Sequence, residues 1–207
     1  GDSQDLYIEE VDPNNVDNYL DNGESIPFEV REIFIVVKGE NADVQVPLKV
    51  RHTKRGPIIS DFKKFGIPSE QLVSLRWSLA EVTSPSIGIN HLLTAKDVFE
   101  MDSMVVSNID LMYFNLVFAD TKGNIAHRTT GQIPIRGNNN GSIAQAPDSL
   151  NTWQGFIPKS EMPGQINPAK GWVGTSNHDI VPDDYPYYFS AHFSPNYRYL
   201  RMTELME

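Results

Sequence analysis

The stretch Tyr113-Phe114-Asn115-Leu116-Val117-Phe118-Ala119-Asp120-Thr121-Lys122-Gly123-Asn124-Ile125-Ala126-His127-Arg128-Thr129 decides the fold. Met112–Phe118 is an apolar run of buried-strand length, Thr121–Asn124 supplies turn residues, and Ile125–Thr129 returns. The segment reads as a β-hairpin running from Asn115 to His127. Asn115 places a carboxamide among apolar neighbours, which is unfavourable unless its hydrogen bonds are met. Two readings stand: a structural amide bonding nearby backbone, and a donor aimed at a developing oxyanion.

Working outward, the residues before the hairpin predict a helical pair over about 85–107. Pro85 can start a first helix near Ser86–Ala95. In the second, Thr94 followed by Asp97 resembles a capping box, and Val98, Met101, Val105 and Ile109 fall on one face. The first sixty residues read as β structure, opened by Leu6-Tyr7-Ile8. Glu29–Lys38 and Val44–His52, joined by a turn at 39–41, predict a hairpin with one dry and one wet face. Pro47 lacks a ladder donor and marks an edge strand or a bulge. Gly56–Ser60 closes this section, and Gln71–Trp77 is a further strand. After Gly131 the chain is rich in Pro and aromatic residues, which predicts ordered coil over about 137–195, with a surface loop at Asn138–Ser142. Arg198–Met206 predicts a closing helix. The organisation is one domain over 1–207: a β-rich section at 6–60, helices plus core hairpin at 61–136, and a loop-rich section at 137–207.

Composition excludes several classes. The 207 residues carry 17 Lys+Arg against 27 Asp+Glu, a net charge of −10. That balance argues against a nucleic-acid partner, which needs clustered cations. No run approaches the ~18–20 apolar residues of a membrane span. Gly1-Asp2-Ser3-Gln4-Asp5 is acidic where a secretory leader would be basic. The absence of cysteine excludes a thiol nucleophile and Cys-ligated metals. There is no Gly-x-Ser-x-Gly elbow, Walker sequence, dinucleotide fingerprint or His-Glu-x-x-His. The five histidines are scattered.

Three polar groups stand out besides Asn115. Asp2 and Asp5 offer hard oxygens at a spacing that suits Ca²⁺, although a solvated acidic turn is the stronger reading of spacing alone. His178-Asp179 with Asp183-Asp184 reads as a wet loop. Arg136 after Gly131–Ile135, and Arg76 beside Trp77, read as ion-pair or cation–π packing.

The series Asn115–Ile125, Gly131-Gln-Ile-Pro-Ile-Arg136, Trp153-Gln-Gly-Phe-Ile-Pro158, Asn167-Pro-Ala-Lys-Gly171 and Thr175-Ser-Asn177 runs in order through the chain. With Asp5-Leu-Tyr-Ile-Glu9, Arg55-Gly-Pro-Ile-Ile59 and Tyr197-Arg198-Tyr-Leu-Arg201, it closely resembles the penicillin acylase (penicillin amidase) family. The resemblance implies an α+β fold, part of the αββα sandwich of N-terminal-nucleophile hydrolases, with a β-rich excursion and long ordered coil. It implies a precursor cut into two chains, whose larger chain starts with a nucleophilic Ser that uses its own α-amine as base. It assigns Asn115 as the side-chain oxyanion donor, Arg136 to substrate binding, and Asp2, Gln4 (backbone carbonyl) and Asp5 to a structural calcium site completed by a Glu of the smaller chain. No organic cofactor is implied. Because the chain starts at Gly1, it is expected to be an internal fragment of the larger chain, inactive alone. Its expected partners are the smaller chain, the remaining larger-chain segments and a small-molecule amide. The setting implied is periplasmic or secreted. The expected substrates are β-lactam acyl side chains or acyl-homoserine lactones; the alternative is a non-catalytic binding module on the same scaffold.

Overall fold

A computed structural model describes residues 2–39, 42–62, 65–68, 70–82 and 88–207. The chain divides into two compact units that cut across the three sections read from the sequence. One comprises Gln4–Trp77 with Gly137–Thr152; the other comprises Gly1–Ser3, Ser78–Arg136 and Trp153–Glu207.

The first unit holds β1 (Gln4–Asp12), β2 (Asn15–Asp21), β3 (Glu24–Pro27), β4 (Glu29–Val37), β5 (Val44–Thr53), β6 (Gly56–Pro57) and β7 (Leu72–Trp77). An antiparallel sheet of order β3-β2-β1-β7 is one layer. Sequence reasoning missed β2 and β3, whose polar residues mask the strand signal. The clue was Asn22-Gly23, both in the left-handed region (φ 51° and 83°), the dipeptide of a tight hairpin turn. Tyr19, Phe28 and Ile58 form the core of this unit, with Ile26 and Leu72 packed on it. The second sheet has the order β4-β5-β6. Its hairpin has the expected dry face only toward its foot: all nine residues of β4 are exposed, while β5 buries Val50 and half-buries Leu48 on one side. Ile33–Val37 is continuously apolar, so no alternation selects a face for burial. Pro47 lies where β5 pairs only with β4, as an edge residue does, because β6 reaches only His52 and Thr53. The turn residues 40 and 41 lie outside the described residues.

At the foot of that hairpin a buried ionic cluster is satisfied on every side. Arg55 meets Glu9 through two bonds (2.8 and 2.5 Å) and Asp21 through a third (2.9 Å). Thr53 and Ser74 hydroxyls donate to the same Glu9 oxygen at 2.9 and 2.6 Å. Such pairing is what makes a buried carboxylate tolerable.

The second unit holds α1 (Ser78–Glu81), α2 (Ile89–Leu92), α3 (Val98–Asn108), β8 (Asn115–Ala119), β9 (Ile125–Thr129), β10 (Pro134–Arg136), β11 (Trp153–Phe156), β12 (Gly164–Ile166) and α4 (Tyr197–Met206). The main sheet has the order β12-β9-β8, and β10 pairs with β11. The core is Ile133, Ile157, Met162 and Phe189. Val98, Val105 and Ile109 bury the expected face of α3. Its cap is Asp97 rather than Thr94: the Asp97 carboxylate accepts from Phe99 and Glu100 N–H, while the Thr94 hydroxyl donates back to His91 O. The helix expected at Ser86–Ala95 is described only from 88 onward, and there spans Ile89–Leu92; its Pro85 start lies outside the described residues.

The strand expected at Met112–Phe118 begins only at Asn115. Residues 112–114 are held by side chains instead of a full ladder. Thr130 Oγ1 donates to Met112 O, and Phe114 N–H donates to Thr130 Oγ1 (2.6 and 3.0 Å). Tyr113 packs against Gly131, whose φ of 102° and absent side chain make room; a Cβ there would lie 2.3 Å from the ring. The expected coil is ordered, but β11, β12 and a 3-10 turn at Lys159–Glu161 interrupt it.

Candidate active site

Asn115 opens β8. The antiparallel register sets Thr129 opposite it and His127 opposite Val117. Residues two apart on a strand share a face, so Asn115, His127 and Thr129 present their side chains together. Thr129 Oγ–H donates to Asn115 Oδ1 at 2.9 Å, and His127 Nε2 lies 3.1 Å from the same oxygen. An amide carbonyl can only accept, so the imidazole donates through Nε2–H and keeps its lone pair on Nδ1. Both donors hold the carbonyl end of the carboxamide. Among the described residues Asn115 Nδ2 makes no hydrogen bond, and the residue is exposed. Its oxygen is thus held by two side chains rather than by nearby backbone, and its Nδ2 is left without a partner among the described residues.

His127 is 3% exposed. Burial pushes its pKa down from 6.5 to about 4, helped by the positive field of Arg128 and by His178 and Lys170. It is neutral at neutral pH, with one N–H to give. Its strand, β9, is the central strand of the sheet, with His127 paired to Gln165 on one side and Val117 on the other. Arg128 braces the strand through a two-point bond to Asp102 of α3 (2.8 Å each) and a third to Met162 O (2.8 Å). Thr129 N–H donates to Pro163 O at 2.8 Å.

Beside His127 lies a polar cavity of about 210 Å³, lined also by Gln165, Lys170, Thr175, His178 and Tyr199. His178 stacks on Tyr199 at 3.7 Å, and Lys170 Nζ sits 3.9 Å over the Trp172 ring.

The other predicted site residues lie elsewhere. Arg136 ends β10 with its side chain 1% exposed; Nη2 is 3.3 Å from Asp2 O and 3.5 Å from Asp2 Oδ2. The structure thus joins two residues predicted for separate tasks. Gln4 and Asp5 open β1 in the other unit, with Asp5 buried opposite Arg76 in the ladder. Among the described residues no group of three or more His, Cys, Asp or Glu is arranged for a metal. Nor is any described helix long and apolar enough to cross a membrane.

The α+β fold is that of the penicillin acylases. A thermostable penicillin G acylase from Alcaligenes faecalis superposes with a TM-score of 0.78 at 20% identity, over 100% of this chain and 36% of that one. A profile of the penicillin amidase family matches residues 1–207, and the chain belongs to that family. It is 28% identical over 195 residues to the acyl-homoserine lactone acylase QuiP of Pseudomonas aeruginosa, which covers 89% of this chain and 22% of that protein. QuiP of Pseudomonas fluorescens Pf0-1 is 27% identical over 99% of this chain and 25% of its own length. Penicillin acylase 2 proenzyme of Pseudomonas sp. SE83 is 35% identical over 45% of this chain and 12% of its own. The chain thus spans a quarter or less of these curated relatives, all of them named acylases.

Proposed function

We propose that this chain is part of an acylase that hydrolyses a linear amide through an acyl-enzyme, and that Asn115 is its side-chain oxyanion donor. The observation that carries this is Asn115 itself, an exposed residue whose Nδ2 is free of bonds among the described residues while His127 and Thr129 occupy its Oδ1. A non-catalytic scaffold has no use for a donor so held.

On the family resemblance the nucleophile is an N-terminal Ser outside these residues. Its Oγ attacks the amide carbonyl and its proton passes to the α-amine, whose ordinary pKa of ~7.7–8.0 leaves it partly neutral at working pH. The carbonyl oxygen becomes an oxyanion, which Nδ2–H of Asn115 stabilises. The α-ammonium returns the proton to the leaving nitrogen, the C–N bond breaks, and water then cleaves the ester with the α-amine again as base. The acyl-homoserine lactone class is favoured as substrate over β-lactam side chains, because the relatives that match most of the chain carry that name. The smaller chain and the remaining larger-chain segments are the proposed partners, and a periplasmic or secreted setting goes with them. A calcium ion also enters the proposal through the oxygen donors of Asp2, Gln4 and Asp5. These are too few for the ~6–8 that Ca²⁺ takes, so other segments must complete the set. Arg136 enters as a substrate-binding residue on resemblance alone; its buried, Asp2-bound guanidinium adds no support.

In the full-length enzyme, Asn115→Ala should lower kcat by ~10²–10³, about 2.7–4 kcal/mol of barrier, in steady-state hydrolysis of a chromogenic N-acyl amide. An unchanged kcat removes the oxyanion role. The 207-residue chain alone should turn the same substrate over at the buffer rate.

A further inference from the structure

We infer that His127 and Thr129 are positioning residues for the oxyanion donor, fixing the Asn115 carboxamide so that Nδ2 and not Oδ1 faces the reacting carbonyl. This rests on the proposed role of Asn115 and goes one step behind it. A carboxamide is nearly symmetric in shape, and a half-turn about its terminal torsion exchanges a donor for an acceptor. With Oδ1 outward, the same residue would repel an oxyanion. Something must therefore select the orientation before the substrate arrives, because a donor that has to turn during the reaction loses the benefit of preorganisation.

The two bonds at 2.9 and 3.1 Å make that selection, and both are donated to the same oxygen. The donors are themselves fixed. Both belong to β9, which is laddered on two sides by β8 and β12 and braced by Arg128 on Asp102 and Met162 O. Both are buried, His127 at 3% and Thr129 at 7% exposure, so water competes poorly for their protons. The charged and titratable groups around His127 are Arg128, His178 and Lys170, with Asp179 and Tyr199 on the wall of the same cavity, and among the described residues none of them hydrogen-bonds its Nδ1.

The test uses the full-length enzyme and a chromogenic N-acyl amide. His127→Leu and Thr129→Val should each lower kcat by about 10- to 100-fold with KM little changed. His127→Gln and Thr129→Ser, which restore a donor, should recover most of the loss. In an Asn115→Ala background neither His127→Leu nor Thr129→Val should lower kcat further, because the group they orient is gone. Nitrogen NMR of the ¹⁵N-histidine-labelled enzyme should show His127 protonated on Nε2. The inference is overturned if kcat survives both His127→Leu and Thr129→Val while Asn115→Ala abolishes it. It is also overturned if the losses persist undiminished in the Asn115→Ala background, or if the His127 proton resides on Nδ1. An Asn115→Ala enzyme with full kcat takes down the oxyanion reading itself, a result distinct from all of these. Should His127→Leu fail to fold, the Thr129→Val and Thr129→Ser pair and the tautomer measurement still decide the matter.

Discussion

Two antiparallel hairpins in this chain make an instructive contrast. β4–β5 is the longer, with nine paired positions from Glu29↔His52 to Val37↔Val44, and carries the continuous apolar run Ile33–Val37. Yet no residue of β4 is buried, and Phe34 and Val36 stand 58% and 60% exposed. β8–β9 has only five pairs. Like β4–β5 it has a third strand, but it adds a braced arginine and a buried His and Thr that reach across the ladder to one amide. Ladder length builds a ribbon; the shorter hairpin instead holds one polar side chain between two buried, laddered neighbours. Among the described residues the long hairpin's side-chain bonds to other segments lie at its foot, where Thr53 and Arg55 meet Glu9 and Arg51 binds Asp61 at 2.9 and 2.7 Å.

That contrast is sharpened most by attacking the foot. Arg55→Ala leaves Glu9, whose side chain is 0% exposed, as a buried charge without its cation. The expected loss is about 3–5 kcal/mol of stability, read by urea denaturation of the chain. A loss under about 1 kcal/mol would mean that the cluster does not anchor the hairpin.

The next effect belongs to the other hairpin and is driven by pH. The folded pKa of His127, about 4, lies below the unfolded value of 6.5, so the unfolded chain binds the proton more readily. The stabilisation is complete above pH ~6.5 and is lost as the pH falls toward 4, by up to ~3 kcal/mol. His127→Gln should flatten that part of the stability–pH curve while leaving the remaining acid limb in place. A parent curve already flat between pH 6.5 and 4 would show that the imidazole is not held neutral by burial.

Much of this was legible in the residues. Ile125–Thr129 has the strand bounds expected of it and the apolar face of α3 is the one its spacing indicated; Asn115, read as an amide among apolar neighbours, is instead exposed at the first position of β8. His127 and Thr129 were not singled out, because their importance lies in register. Once the turn at Thr121–Asn124 is accepted, pairing about it puts Thr129 across from Asn115 and His127 one step diagonal, so the signal was present in the turn. The exposure of β4 was not legible. Burial depends on what other chain segments cover a strand, and a continuous run such as Ile33–Val37 states only that both faces are apolar.

The smallest effect tests that bareness directly. Ile33 and Ile35 share one face of β4, and Phe34 and Val36 share the other. Each is roughly half exposed, between 46% and 60%, so threonine, which keeps strand propensity at the three β-branched positions, removes little burial. Replacing either pair by Thr should change the stability of the 207-residue chain by no more than about 0.5 kcal/mol per residue. Ile33 and Ile35 share their face with half-buried Leu48 and buried Val50, so that pair should cost slightly the more of the two. If the Ile33/Ile35 pair were to cost well over 1 kcal/mol per residue while Phe34/Val36 cost nothing, one face would be covered in solution. The ribbon would then have, along its whole length, the dry side that the pairing of Glu29–Lys38 with the alternating Val44–His52 predicts.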